Sequence, residues 1–209
     1  MKSSTSGFTL IELLSVMAIL ALVVGALVPA VNNFGRATSL QTASGKVSSL
    51  LALARQNSIS RGAMTAVVIV TDPSVEERDR AMAIYEITPK TDGTLPGPSD
   101  WKQINRWEVL PEGIIFDQST FQSDRSAVLP ALPIVNFRGQ STPTYRYVVF
   151  LPNGSIYDPN ANSIRLVEGS WPPGASSPTY TRPTSAGSPA HFFNVSIIGA
   201  SGRLKIDQP

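Results

Sequence analysis

Residues 8–31 read FTLIELLSVMAILALVVGALVPAV, and the only ionisable side chain among them is Glu12. From Leu13 to Val31 the run is apolar apart from Ser15. A helix of about 20 such residues crosses a bilayer core of about 30 Å, so the stretch predicts a transmembrane helix over 8–31. The preceding residues 1–7, MKSSTSG, are polar, carry Lys2 and end in Gly7. A basic residue on that side points to a cytoplasmic N-terminus.

Glu12 is the residue out of place. A carboxylate inside an apolar span costs about 2.5–3.5 kcal/mol on insertion, and such residues are paired or functional as a rule. Two readings follow. Glu12 lies at the membrane edge and snorkels into water. Alternatively, cleavage after Gly7 leaves a new α-amino group on Phe8, spaced i, i+4 from Glu12 in its own chain and able to reach the same carboxylate in a neighbour. A further alternative is that Val28-Pro29-Ala30 serves as an ordinary secretory cleavage site, which Glu12 within the apolar region argues against.

The run Gly7-Phe8-Thr9-Leu10-Ile11-Glu12-Leu13-Leu14, followed by one apolar stretch, resembles the class III signal of type IV pilins and type II secretion pseudopilins. That resemblance implies cleavage after Gly7 by a membrane prepilin peptidase and N-methylation of Phe8. It implies that Glu12 meets the N-terminal amine of an adjacent subunit in a filament, and that Pro29 is the proline that bends the first helix of many pilins.

Behind the span a helical pattern continues over 32–62. Leu40, Ala43, Val47, Leu50, Leu51 and Ala54 recur at steps of three and four with polar residues between, as one apolar stripe requires. Gly62 is the expected stop. One helix from Phe8 to Arg61 would be about 80 Å long. Gly35, Gly45 and Pro29 are the places where it is expected to bend.

From Met64 the period changes. MTAVVIVT, AMAIYEI, INRWEV, GIIF, PIVNF, YRYVVFL, SIRLV, FFNVSII and RLKI are short runs rich in β-branched and aromatic residues between turn residues. Asn153-Gly154 is a hairpin signal, and the run Gly199 to Gly202 turns the last pair. Residues 63–209 are thus expected to form a mainly antiparallel β head packed on the amphipathic half of the helix, an α+β fold. DPSVEERDR from Asp72, TDGTLPGPS from Thr91 and the Pro/Ser/Thr/Gly-rich segment at about 169–190 read as loops, the last as a flexible insertion. The order LALARQNSISRG, LPEGIIF, IVNFRG, NGS, SIRLV and GRLKI is similar to that of the GspH/FimT group of minor pseudopilins and minor pilins. The long loops are similar to those of the prepilin-like cassette proteins described from Verrucomicrobia.

Other chemistries find little support. Across 209 residues there is no cysteine, one histidine (His191) and a net charge of +2. Disulfides, thiolate metal sites and two-histidine sites are excluded, and no G-x-S-x-G, P-loop or dinucleotide fingerprint appears. Asp158-Pro159-Asn160-Ala161-Asn162 imitates a calcium loop, but Ser163 and Gly169 stand where glycine and glutamate are wanted. Trp101, Trp107 and Tyr145 read as core aromatics. No enzymatic role, metal or cofactor is expected.

The expectation is therefore a single-pass inner-membrane subunit with its head in the periplasm or outside. Its partners would be prepilin peptidase, membrane lipid and other pilin or pseudopilin subunits met through the first helix. Its function would be that of a minor pseudopilin in type II secretion. The alternative is a minor pilin acting as a DNA receptor, because Arg203 and Lys205 would share one face of the last strand and members of the FimT branch carry a basic pair there.

Overall fold

The structure is a computed structural model. It describes residues 10–87, 97–118, 133, 135–141, 143–158, 163–172, 174–184, 186–199 and 201–207, with the side chains of 26–37 and 141 outside the description. Helix α1 spans Leu10–Arg61, with Glu12 in its first turn and Arg61 in its last. Both charges oppose the partial charges of the helix ends. Gly62, at φ 61, takes the left-handed conformation that ends a helix.

The chain divides into two compact units, Met1–Thr38 and Ser39–Pro209. In the first unit every described side chain from Leu10 to Gly25 is exposed. The second unit begins within α1, so the last turns of the helix belong to the head.

The strands are β1 (Thr65–Val70), β2 (Ala81–Ile87), β3 (Trp101–Gln103), β4 (Glu108–Val109), β5 (Ile114–Phe116), β6 (Asn136–Phe137), β7 (Gln140–Ser141), β8 (Tyr145–Phe150), β9 (Ser163–Ser170), β10 (Thr179–Tyr180), β11 (Phe192–Ile198) and β12 (Arg203–Asp207). Among the described residues they form a sheet in the order β3-β2-β1-β8 with β4 also on β2, a second in the order β10-β9-β11-β12 with β5 also on β9, and the small β6-β7 ribbon. Each of these pairings is antiparallel. The main sheets meet where Ile156 N donates to Gly199 O at 3.1 Å and Phe116 N to Asp79 O at 2.8 Å.

The apolar stripe on α1 is the one the sequence spaces out: Leu40, Ala43, Val47, Leu50, Leu51 and Ala54 are all buried. They share a core with Val67, Ile69, Met82 and Ile84 of the first sheet and Phe116, Ile164, Leu166, Val195 and Ile197 of the second. Alternate residues of β1 and β2 face the other way. Ala66, Val68, Ala83 and Tyr85 pack there with Trp101, Val135 and Val149. Because β1 is covered on both sides, all of it is buried, and its sequence reads as an unbroken apolar run.

Two local expectations differ from the structure. INRWEV does not form one strand. Ile104 N bonds Ile84 O at 2.9 Å, after which the Asn105 side chain accepts from Ile84 N at 2.6 Å and takes the place of a ladder bond; pairing resumes only at β4. The segment at about 169–190, expected as flexible, holds β10 on β9 and a bridge between Pro183 and Pro189. Its two large apolar residues explain this. Arg78 stacks over the Trp171 ring, 3.5 Å from its centroid, and Tyr180 pairs with Gly169 of β9. The stretch TDGTLP at 91–96 and the calcium-like residues 159–162 lie outside the described residues.

Candidate assembly site on the first helix

Leu, Ile, Ala and Met favour helix over residues 10–25, and their side chains are exposed among the described residues: Leu10 is 82% exposed and Leu22 77%. An apolar surface of this kind marks a contact with lipid or protein. Ser15, the polar interruption, donates its hydroxyl to Ile11 O at 2.7 Å, so it brings no unsatisfied donor into an apolar setting. Glu12 is exposed on the same segment. Among the described residues no helix is long and apolar enough to cross a membrane. The described apolar run, Leu10–Gly25, falls short of the ~20 residues a span needs.

Gly7 and Phe8 lie outside the described residues. Pro29 lies within the continuous α1, with its side chain outside the description. The first helix thus contributes Glu12, in the first turn, and the apolar residues that follow it.

Arg203 and Lys205 lie far along the sequence, on the edge strand β12, opposite Ile198 and Ser196 of β11. Both are exposed, and strand alternation puts them on one face. That face is not purely basic, because Lys205 Nζ pairs with Asp207 Oδ1 at 2.8 Å. A phosphate approaching Lys205 must compete with that carboxylate.

The remaining candidates are structural. Trp101 is buried, Trp107 meets Phe137 edge-on at 4.8 Å, and Tyr145 donates its hydroxyl to Pro133 O at 2.8 Å. Burial, ahead of its tyrosine neighbours, pushes the Tyr145 hydroxyl up to about 12, so it stays a neutral donor. Among the described residues no group of His, Asp and Glu is arranged to hold a metal ion. One cluster was not visible in the sequence. The charged turn after β1 sends Glu77 and Asp79 into the protein, where Glu77 pairs with Arg138 and Asp79 with Arg78. A run of alternating charges gives no sign of which members turn inward.

The family description "Prokaryotic N-terminal methylation motif" matches residues 2–28. No curated protein matches the chain. Among solved structures it is similar to the minor pseudopilin EpsH from the type 2 secretion system of Vibrio cholerae. That likeness has 15% identity and a TM-score of 0.45, and covers 82% of this chain and 98% of that one. It is also similar to the type IV minor pilin FimU of Pseudomonas aeruginosa (strain PAO1), at 14% identity and a TM-score of 0.42, over 84% of this chain and 96% of that one. A long N-terminal helix followed by a mainly antiparallel β head is an α+β fold. The chain carries, over residues 2–28, the prokaryotic N-terminal methylation motif.

Proposed function

We propose that this protein is a minor pseudopilin of a type II secretion-type filament, anchored in the inner membrane through its first helix with its N-terminus cytoplasmic. Prepilin peptidase cleaves after Gly7 and the new N-terminus, Phe8, is N-methylated. Subunits then pack through the helix, with Glu12 of one meeting the amine of another. The observation that carries this reading is the exposed apolar run Leu10–Gly25, with Glu12 in its first turn, lying within the methylation motif at 2–28. The role is structural, and the subunit needs no cofactor to fill it.

The ion pair between Lys205 and Asp207 favours this reading over a DNA receptor, since it lowers the net charge that phosphates would meet. N-terminal mass spectrometry of the protein purified from its native membrane tests the proposal. A mature chain starting at N-methyl-Phe8 is expected. A start at Met1 or at Val31 would overturn it.

A further inference from the structure

The chain leaves β8 through the turn Leu151-Pro152-Asn153-Gly154-Ser155. Leu151 N donates to Ser155 O at 2.8 Å, Gly154 N donates to Leu151 O at 2.8 Å, and Gly154 takes φ 80. A proline second in the turn and a glycine in the left-handed position at its end suit this geometry. Asn153 is exposed, and Gly154 behind it is buried.

An asparagine followed by glycine carries a chemistry of its own, because no side chain on the glycine shields its backbone nitrogen from the asparagine amide. The turn treats the two reacting atoms differently. The electrophile is prepared: Asn153 Oδ1 accepts from Ser155 N at 3.0 Å and from Ser155 Oγ at 2.7 Å. Two donors on a carbonyl oxygen stabilise the charge that develops there when its carbon is attacked. The nucleophile is held back. The hydrogen of Gly154 N is committed to Leu151 O, and the other side of the same residue is fixed where Gly154 O accepts from Arg55 Nε at 3.2 Å.

We propose that Asn153 is a site of spontaneous deamidation, gated by opening of the bond from Gly154 N to Leu151 O, and that Arg55 holds this gate closed. Once the bond opens, Gly154 N attacks Asn153 Cγ. The N–Cγ bond forms, the Cγ–Nδ2 bond breaks, and ammonia leaves with the amide proton. Water then opens the five-membered imide at either carbonyl, giving aspartate, or isoaspartate with the main chain running through the side-chain carbon. The second product adds a carbon to the main chain beside Gly154. Gly154 O already lies so near Gly202 that a Cβ there would stand 1.9 Å from it. Isoaspartate at 153 therefore displaces Gly154 O from Arg55 and loosens the junction that Arg55 makes with Ser201 O at 3.0 Å.

The test ages the full-length protein in detergent micelles, in mildly alkaline buffer, beside a synthetic peptide of residues 149–157. Peptide mass and chromatographic separation of the two products give the deamidation rate, and hydrogen exchange of the Gly154 amide is followed in the same protein. Exchange and attack both need the same N–H released, so deamidation should be slower in the protein than in the peptide by the protection factor of that amide, within about tenfold. Arg55→Gln should lower the protection and raise the deamidation rate together by about tenfold, whereas Leu51→Ala, which weakens the core away from the turn, should change neither by more than about twofold. A protein that deamidates as fast as the peptide would overturn the gate, as would a slowing that departs further from the protection factor. Equal acceleration in the two variants would overturn the role of Arg55, because unfolding of the whole head would then be the gate. Should Arg55→Gln not fold, the two rates of the unaltered protein decide the matter alone.

Discussion

A Cβ on Gly202 would stand 1.9 Å from the carbonyl oxygen of Gly154. The two glycines belong to different turns, one after β8 and one between β11 and β12, and Arg55 joins both to the helix. Its Nε donates to Gly154 O at 3.2 Å and to Ser201 O at 3.0 Å. Gly202→Ala should therefore destabilise the head by about 3 kcal/mol or more, since backbone atoms would have to separate and φ +63 is unfavourable for alanine. Gly62→Ala is the control. At φ +61 it meets nothing within 4 Å, so it should lose only about 1–2 kcal/mol. Denaturant unfolding of both variants measures the difference, and equal losses would mean that the close approach of the turns is unimportant.

The position of the head boundary gives a second prediction. Leu40, Val47, Leu50 and Leu51 are core residues, so a fragment that begins after the helix loses one wall of its core. Ser39–Pro209 should fold as a soluble cooperative unit, while Ala63–Pro209 should show no dispersed amide spectrum. Within the longer fragment Leu51→Ala should lower stability by about 2–5 kcal/mol, because Leu51 is 1% exposed against both sheets. A well-folded Ala63–Pro209 would place the helix outside the core.

Much of this fold is legible in the sequence because two periods write it out. Steps of three and four from Leu40 to Ala54 name the buried face of α1, and β-branched runs such as TAVVIV and AMAIYEI name the central strands. Gly154 at φ 80 and Gly202 at φ 63 sit where the turn signals stand. The less legible parts depend on contacts between distant segments. Nothing local tells that Arg55 bonds residues near 154 and 201, that Asn105 interrupts a strand, or that Trp171 meets Arg78 and secures an arm rich in turn residues. For the assembly site the position is reversed. The methylation motif at 2–28 is legible as a pattern of residues, while the partner proposed for Glu12 is another molecule.

The basic pair on β12 gives a third prediction. If the Lys205–Asp207 pair neutralises the face as its geometry suggests, Ser39–Pro209 should not retain duplex DNA in a salt-dependent manner at about 50 mM salt. Asp207→Asn frees Lys205 and is the sensitive control. Retention by the unaltered head that falls with salt and is lost in Arg203→Ala or Lys205→Ala would favour the DNA-receptor reading.

The fourth prediction concerns Glu12. An ionised carboxylate among lipid chains costs about 2.5–3.5 kcal/mol, and a proton can remove that cost without any partner. Docking onto a neighbour whose N-terminal amine is exposed by cleavage offers another solution, in which charge meets charge and one axial register is preferred. Glu12→Gln keeps the shape and removes the charge. Cleavage after Gly7 and insertion should persist, since neither needs the carboxylate, and insertion should become slightly easier. Assembly should not persist. A buried amine facing a neutral amide loses about 3 kcal/mol at each docking step, or about 100-fold in affinity. Quantitative co-purification with cross-linked pilin partners, read beside the mature mass of the variant, separates the two effects. Normal recovery of partners with correct processing would leave Glu12 as an edge residue that snorkels, and the register of the filament would then have to come from the apolar side chains that follow it.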